Sequence, residues 1–144
     1  GLEREPPGNL PGAATVPLVP EEALRPPPDL ETTAIRFLGG AHPRWLAAYH
    51  AALCPESPRA MNERYGLRMP VEPACVAGRP VFVLEAGDDD AARHPPGQDL
   101  AIARFLGGTH AILPGAPHCF MLGEHAATSG AAVIAWYHAA FASG

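Results

Sequence analysis

The sequence contains no lysine, and its ten basic residues, all arginine, are outnumbered by 15 acidic ones, which gives a formal net charge of −5. A chain with this charge is not expected to bind nucleic acid through a general phosphate-binding surface. Long apolar runs are also lacking, since none approaches the ~20 residues that cross a bilayer. We therefore expect no nucleic-acid partner and no membrane partner.

Cysteine is scarce, and the spacing of the cysteines shows no disulfide or metal-binding motif. The three cysteines, Cys54, Cys75 and Cys119, are an odd number and show no CxxC spacing. This argues against a disulfide framework and favours a reducing compartment. The first residues, 1–12, are polar and proline-rich and show no apolar segment of the signal-peptide kind. The expected location is the cytoplasm.

Proline is abundant, and its distribution separates the start of the chain from the rest. Residues 1–29 hold eight of the 18 prolines, including Pro26, Pro27 and Pro28. Because proline removes an amide donor and fixes φ, this stretch is expected to form neither a helix nor a central strand. We predict a proline-rich extended arm or linker over residues 1–29.

Residues 30–77 predict a small helical layer without an independent core. Asp29 and Ser57 are suitable N-cap residues, and Gly39 and Gly66 are suitable helix stops. The predicted helices cover residues 30–38, 43–53 and 58–66.

Residues 78–144 have the pattern of a β-α-β-α unit. The apolar, largely β-branched run 81–84 predicts a strand buried on both faces, as in a parallel sheet. A helix is expected over 97–106, a second strand over 109–113 and a last helix over 126–142. That last helix gathers an apolar face from Gly130, Val133, Ile134, Tyr137 and Phe141. The order implies two adjacent parallel strands joined by a right-handed crossover.

Chemistry-bearing residues follow both predicted strands. Asp88, Asp89 and Asp90 come after the first strand, and His118 comes after the second. Reactive groups of open α/β sheets sit just past the carboxyl ends of the strands. A carboxylate and an imidazole should therefore meet at one edge of the sheet, where the acid can orient a general base.

The same residues carry a resemblance to a known family. The run 79–89, ending in Gly87-Asp88-Asp89, and the loop 113–118, Leu-Pro-Gly-Ala-Pro-His, are similar to the acid-bearing strand and the histidine loop of the α/β-hydrolase superfamily. The resemblance covers residues 78–144 and implies an α/β fold, the C-terminal portion of a hydrolase parallel sheet. It further implies that residues 30–77 are a lid-like segment.

Within that resemblance, Asp89 takes the usual position of the triad acid and His118 that of the general base. Asp88 is the nearest competitor to Asp89, and a solvated Gly-Asp turn is the alternative interpretation of the three aspartates. The other six histidines fall on predicted helix surfaces, in loops or, for His110, inside a strand. They are His42, His50, His94, His110, His125 and His138.

The sequence departs from the family by lacking a nucleophile elbow of the Gly-x-Ser-x-Gly type. Its serines are Ser57, Ser129 and Ser143, and none has that setting. An oxyanion-hole loop is also missing. A two-stranded parallel sheet is too small to stabilise itself, so the rest of the sheet is expected from another chain, from upstream sequence or from a second copy.

Three hypotheses follow. The first is the C-terminal part of an α/β-hydrolase that acts on a small-molecule ester, thioester, amide or related carbonyl substrate without an organic or metal cofactor. The second is a non-catalytic remnant or binding module with the same fold. The third is a metal-binding protein that uses the histidines and the aspartate cluster, although no HExxH or paired His/Cys spacing supports it.

Overall fold

The computed structural model describes residues 20–65, 73–91 and 94–142. It contains five α-helices and two β-strands within these ranges. The helices are α1 Leu30–Leu38, α2 Leu46–Ala51, α3 Pro58–Tyr65, α4 Gln98–Leu106 and α5 Ala126–Phe141. The strands are β1 Phe82–Ala86 and β2 Thr109–Leu113, and short 3-10 turns occupy Pro73–Val76 and Gly123–His125.

The two strands form a parallel pair. Their register runs from Phe82 opposite Thr109 to Ala86 opposite Leu113. The helix α4 connects them, as a parallel connection requires. The predicted β-α-β-α order is confirmed, and the fold is mixed α/β with a small two-stranded sheet.

Helices contact both faces of this sheet. The Phe82 ring stacks on Trp136 of α5, with ring centroids 5.3 Å apart. Side chains alternate along a strand, so Glu85 points to the face opposite Phe82. There Glu85 interacts electrostatically with Asp99 of α4. The strands therefore lie between α4 and α5.

The strands are less buried than predicted. Ala86 and Leu113 are the buried residues of β1 and β2, and their other residues are half-buried or exposed. The expectation of a strand buried on both faces was wrong in degree, because the sheet in the described residues has two strands, so each strand has a neighbouring strand on one side only. The predicted apolar face of α5 is likewise exposed, at Val133, Ile134, Tyr137 and Phe141.

The ends of α1 follow from its sequence. Asp29 Oδ1 accepts a hydrogen bond from the Thr32 N–H at 2.7 Å, which satisfies a free amide of the first turn. Gly39 ends the helix in the left-handed region at φ 61°. Both caps were predicted.

The second and third helices differ from prediction only in their ends. The Leu46 N–H donates to the Pro43 carbonyl at 2.9 Å, so the residues before α2 form a tighter turn and the α-helix starts at Leu46. Ser57 Oγ accepts from the Ala60 N–H at 3.4 Å, as expected of the N-cap of α3. The predicted stop at Gly66 lies outside the described residues.

The small helical layer packs on the C-terminal segment. Ala34, Leu38 and Leu46 form a buried cluster, against which Cys119 and Leu122 pack. This shared cluster explains how the short helices α1 and α2 are held against the C-terminal segment.

Most of the predicted arm, residues 1–19, lies outside the described residues. Its last part passes beside α3, where Arg25 and Glu56 exchange two backbone hydrogen bonds of 2.9 Å. Across the ranges that the structure describes, no helix combines the length and the apolar character needed to cross a membrane.

Candidate functional site

The loops that follow β1 and β2 are joined by backbone hydrogen bonds. The Gly87 N–H donates to the Leu113 carbonyl, and the Asp88 N–H donates to the Ala116 carbonyl, both at 2.9 Å. A Cβ on Gly87 would lie 2.7 Å from the Leu113 oxygen, so this approach needs glycine. The aspartates and the histidine loop are thereby held side by side.

Asp89 and His118 are in direct contact. Asp89 Oδ2 lies 2.8 Å from Nδ1 of His118. Asp89 Oδ1 accepts from the Asp90 N–H at 2.6 Å, which fixes the carboxylate plane. A carboxylate in this contact accepts a hydrogen bond, so the neutral imidazole tautomer that fits it has its proton on Nδ1 and leaves Nε2 as an acceptor. This is the arrangement of an acid that orients a general base.

The two aspartates that the sequence left as alternatives have different surroundings. Asp88 is exposed and uses its backbone N–H for the Ala116 carbonyl. The Asp89 side chain is 12% exposed and faces the imidazole, which is 38% exposed. The structure thus brings Asp89 and His118 together, while a catalytic role of the pair stays a prediction.

Helix α1 supports the histidine loop from the other side. The Cys119 N–H donates to the Phe37 carbonyl at 2.9 Å, and the Phe37 ring centroid lies 5.9 Å from that of His118. A Cβ built on Gly39 would lie 3.3 Å from Pro117 Cβ, so the chain passes close to the loop there. His118 is held between α1 and the loop that bears Asp89.

Cys119 and Tyr49 form a half-buried pair behind the histidine. Burial raises the pKa of the Cys119 thiol, the hydrogen bond from Tyr49 lowers it, and the charge of Asp89 raises it further. Burial also raises the pKa of Tyr49. The Cys119 thiol is therefore a weak source of thiolate despite its position beside the imidazole.

His94 is a site residue that the sequence did not single out. Its ring centroid lies 5.0 Å from that of His118, and its Nε2 lies 4.0 Å from Asp89 Oδ2. The sequence grouped His94 with the histidines expected on helix surfaces or in loops, and it lies between β1 and α4. His94 follows β1 only a few residues after Asp89. This position in the sequence could have indicated that His94 belongs to the site.

A second carboxylate–imidazole pair lies on the sheet. His110 Nε2 is 2.6 Å from Glu85 Oε2, and the two side chains are largely buried. Burial raises the pKa of the nearby Asp99, and the negative charge of Glu85 adds to that increase. The sequence placed His110 within a strand but did not predict this pairing.

The described serines use their hydroxyls locally. Ser57 caps α3, and the buried Ser129 donates to the Ala126 carbonyl at 3.0 Å. Ser143 lies outside the described residues.

An apolar groove adjoins the histidine loop. Its volume is about 220 Å³, and its lining includes Leu38, Trp45, Pro117 and Leu122. Because Pro117 precedes His118, this groove lies beside the loop that carries the imidazole.

Comparison of the chain with protein-family models, with curated proteins and with solved structures gave no match. The functional argument therefore depends on the geometry around Asp89 and His118.

Proposed function

We propose that this chain is the C-terminal part of an α/β-hydrolase and supplies the acid, Asp89, and the general base, His118, of a catalytic triad. The observation that carries the proposal is the 2.8 Å contact of Asp89 Oδ2 with Nδ1 of His118. It lies past the carboxyl ends of two adjacent parallel strands, where open α/β sheets keep their reactive groups. The nucleophile is a serine outside this chain.

The proposed reaction is acyl transfer. Nε2 of His118 accepts the proton of the serine hydroxyl as its oxygen attacks the substrate carbonyl, and later gives that proton to the leaving group. A water molecule then attacks the acyl group and gives a proton to Nε2 of His118. Nε2 returns that proton to the serine oxygen as the acyl–serine bond breaks. Asp89 holds the Nδ1–H tautomer and stabilises the imidazolium that forms in each step.

Two features support a contribution from outside the chain. The described serine hydroxyls of Ser57 and Ser129 are bound to nearby backbone groups. In the described residues each strand has a neighbouring strand on one side only, and the apolar face of α5 is exposed, although parallel sheets are normally enclosed. Further strands, together with the serine and an oxyanion hole, would complete both the core and the site.

The substrate class follows from the base and the groove. A general-base histidine with a serine partner suits an ester, thioester, amide or related carbonyl compound. The groove lined by Leu38, Trp45 and Leu122 suits an apolar substituent. The free cysteines Cys54 and Cys119 are compatible with the reducing conditions of the cytoplasm, where we place the enzyme.

The test is labelling of the native, co-purifying material with a fluorophosphonate probe, followed by intact-mass analysis. We expect one modified serine on the polypeptide that completes the sheet. His118→Ala should abolish the labelling, whereas His42→Ala, at an exposed histidine that contacts Glu31, should not. Absence of any modified serine would instead favour a non-catalytic remnant or binding module with this fold.

A further inference from the structure

Three side chains with ligand atoms for a metal meet at the rim of the site. One atom each from Asp89, His94 and His118 lies within 4.8 Å of the others. The two imidazoles are 40% and 38% exposed, whereas the carboxylate is 12% exposed. The two imidazoles of the cluster are therefore accessible to solvent, whereas its carboxylate is mostly buried.

The spacing of these atoms fits a small metal ion. Zinc binds imidazole nitrogen at ~2.0–2.1 Å and carboxylate oxygen at ~2.0–2.2 Å, which places the ligands of a tetrahedral ion about 3.4 Å apart. Asp89 Oδ2 is 2.8 Å from the nearer imidazole nitrogen and 4.0 Å from the farther one. These distances lie on either side of the required value. Zinc binding therefore requires side-chain rotations that bring both distances to this value.

The donor set selects the class of metal. Two imidazoles and one carboxylate suit zinc and other first-row transition metals, whereas magnesium and calcium prefer sites built of oxygen. Three protein ligands leave a position for water on the exposed side.

We propose that Zn²⁺ binds Asp89, His94 and His118 and holds the site in an inactive state. The inhibitory part rests on the proposed hydrolase function, while the binding part does not. When Nδ1 of His118 gives its lone pair to the metal, the ring proton moves to Nε2 through water and the imidazole stays neutral. Nε2 then carries a proton and cannot accept one from a nucleophile.

The chain offers matched controls for adventitious zinc binding. His42 lies 3.3 Å from Glu31, and His125 lies 3.6 Å from Glu124. Each pair presents one imidazole and one carboxylate near the surface, so each resembles the proposed site without its second imidazole. Non-specific zinc binding to a surface histidine would therefore occur at these pairs as well.

The binding test is a calorimetric titration of the full chain, with its co-purifying partner, using zinc chloride. We expect one zinc per chain, a dissociation constant at least tenfold weaker in His94→Gln, and an unchanged constant in His42→Gln. Magnesium chloride should give no comparable signal. Wild-type zinc affinity in His94→Gln would overturn the proposal, as would an equal loss in His42→Gln.

The inhibition test compares the rate of fluorophosphonate labelling with and without zinc. The zinc concentration that halves the rate should rise at least tenfold in His94→Gln relative to wild type. Zinc binding at the three residues without any loss of labelling would overturn the inhibitory role alone. Complete absence of labelling without zinc would overturn the hydrolase function and leave the titration to decide the metal site.

Discussion

The backbone N–H of Cys119 donates to the Phe37 carbonyl at 2.9 Å, so the loop that carries His118 is bound to helix α1 as well as to the sheet. The position of the imidazole thus depends on both halves of the chain. The helical layer from residue 30 onward therefore helps to hold the histidine loop in place.

The contact of Asp89 with His118 predicts unequal effects of two neighbouring substitutions. In the proposed hydrolase, Asp89→Asn should slow fluorophosphonate labelling by on the order of 10⁴-fold, because the amide no longer holds the required tautomer. Asp88→Asn should change the rate by less than about threefold, since this exposed side chain faces solvent. Equal losses would mean that the acid is assigned to the wrong position.

The surroundings of Cys119 predict slow alkylation. Burial and the nearby charge of Asp89 raise the pKa of its thiol, so the thiolate fraction stays small until a higher pH than for an ordinary cysteine. Iodoacetamide at pH 8 should modify the exposed Cys54 first, as followed by site-resolved mass spectrometry.

Asp89→Asn should accelerate alkylation of Cys119 by removing that negative charge, and Asp88→Asn should not. The rate for Cys54 in the same samples reports any general change of the fold. Faster modification of Cys119 than of Cys54 in the unsubstituted chain would contradict the proposed burial of the thiol.

Two glycines predict opposite changes in stability. Gly87→Ala should lower the free energy of unfolding by about 1–3 kcal/mol, because the new Cβ would meet backbone atoms of the histidine loop. Gly130→Ala should raise it by up to ~1 kcal/mol, since this position in α5 has open space and alanine favours a helix. Urea denaturation of both variants checks the pair. A neutral Gly87→Ala would show that the two loops are farther apart.

The local signals of the sequence were sufficient for the order and type of the α-helices and β-strands that the structure describes. The Asp29 cap, the Gly39 stop and the parallel pairing of the two strands were predicted from residue type and order alone. These features depend on neighbours in the chain or on the chirality of a single connection, so one sequence contains the information.

Burial and the third member of the site could not be predicted in the same way. The apolar pattern of α5 indicates which residues prefer to be covered, but not whether a partner is present to cover them. The contact of His94 with His118 depends on how the loop after β1 folds back, which no periodic pattern encodes. The pairing of Glu85 with His110 depends on the register between the two strands. The sequence predicted that the strands are parallel, but it did not predict their register.

The stacked rings of Phe82 and Trp136 should be energetically coupled across the sheet–helix contact. Because the Phe82 ring is half-buried, Phe82→Ala should cost less than the ~3–5 kcal/mol of a fully buried ring. A double-mutant cycle with Trp136→Ala should give a coupling of about 0.5–1.5 kcal/mol in the free energy of unfolding. A cycle that closes to zero would mean that α5 does not pack on this face.

The raised pKa of Asp99 predicts a stability that depends on pH in a defined direction. Burial is the main cause and the charge of Glu85 adds to it, so the folded chain holds the Asp99 proton to a higher pH than the unfolded chain. Above the ordinary pKa of 3.8 the folded state therefore binds more protons than the unfolded state, so this residue's contribution to stability falls as pH rises through that range. Asp99→Asn removes the free-energy cost of keeping an ionised carboxylate at this half-buried position.

Thermal unfolding of Asp99→Asn should therefore show a higher melting temperature than the unsubstituted chain at pH 7 and no gain at pH 3. Glu31→Gln is the matched control, because Glu31 is an exposed carboxylate in the first turn of α1, as Asp99 is in the first turn of α4. A first-turn carboxylate is favoured by the helix dipole, so Glu31→Gln should lower the melting temperature at pH 7. A lower melting temperature of Asp99→Asn at pH 7 would mean that the helix dipole outweighs burial at Asp99. It would also mean that the electrostatic interaction of Asp99 with Glu85 is weaker than the structure implies.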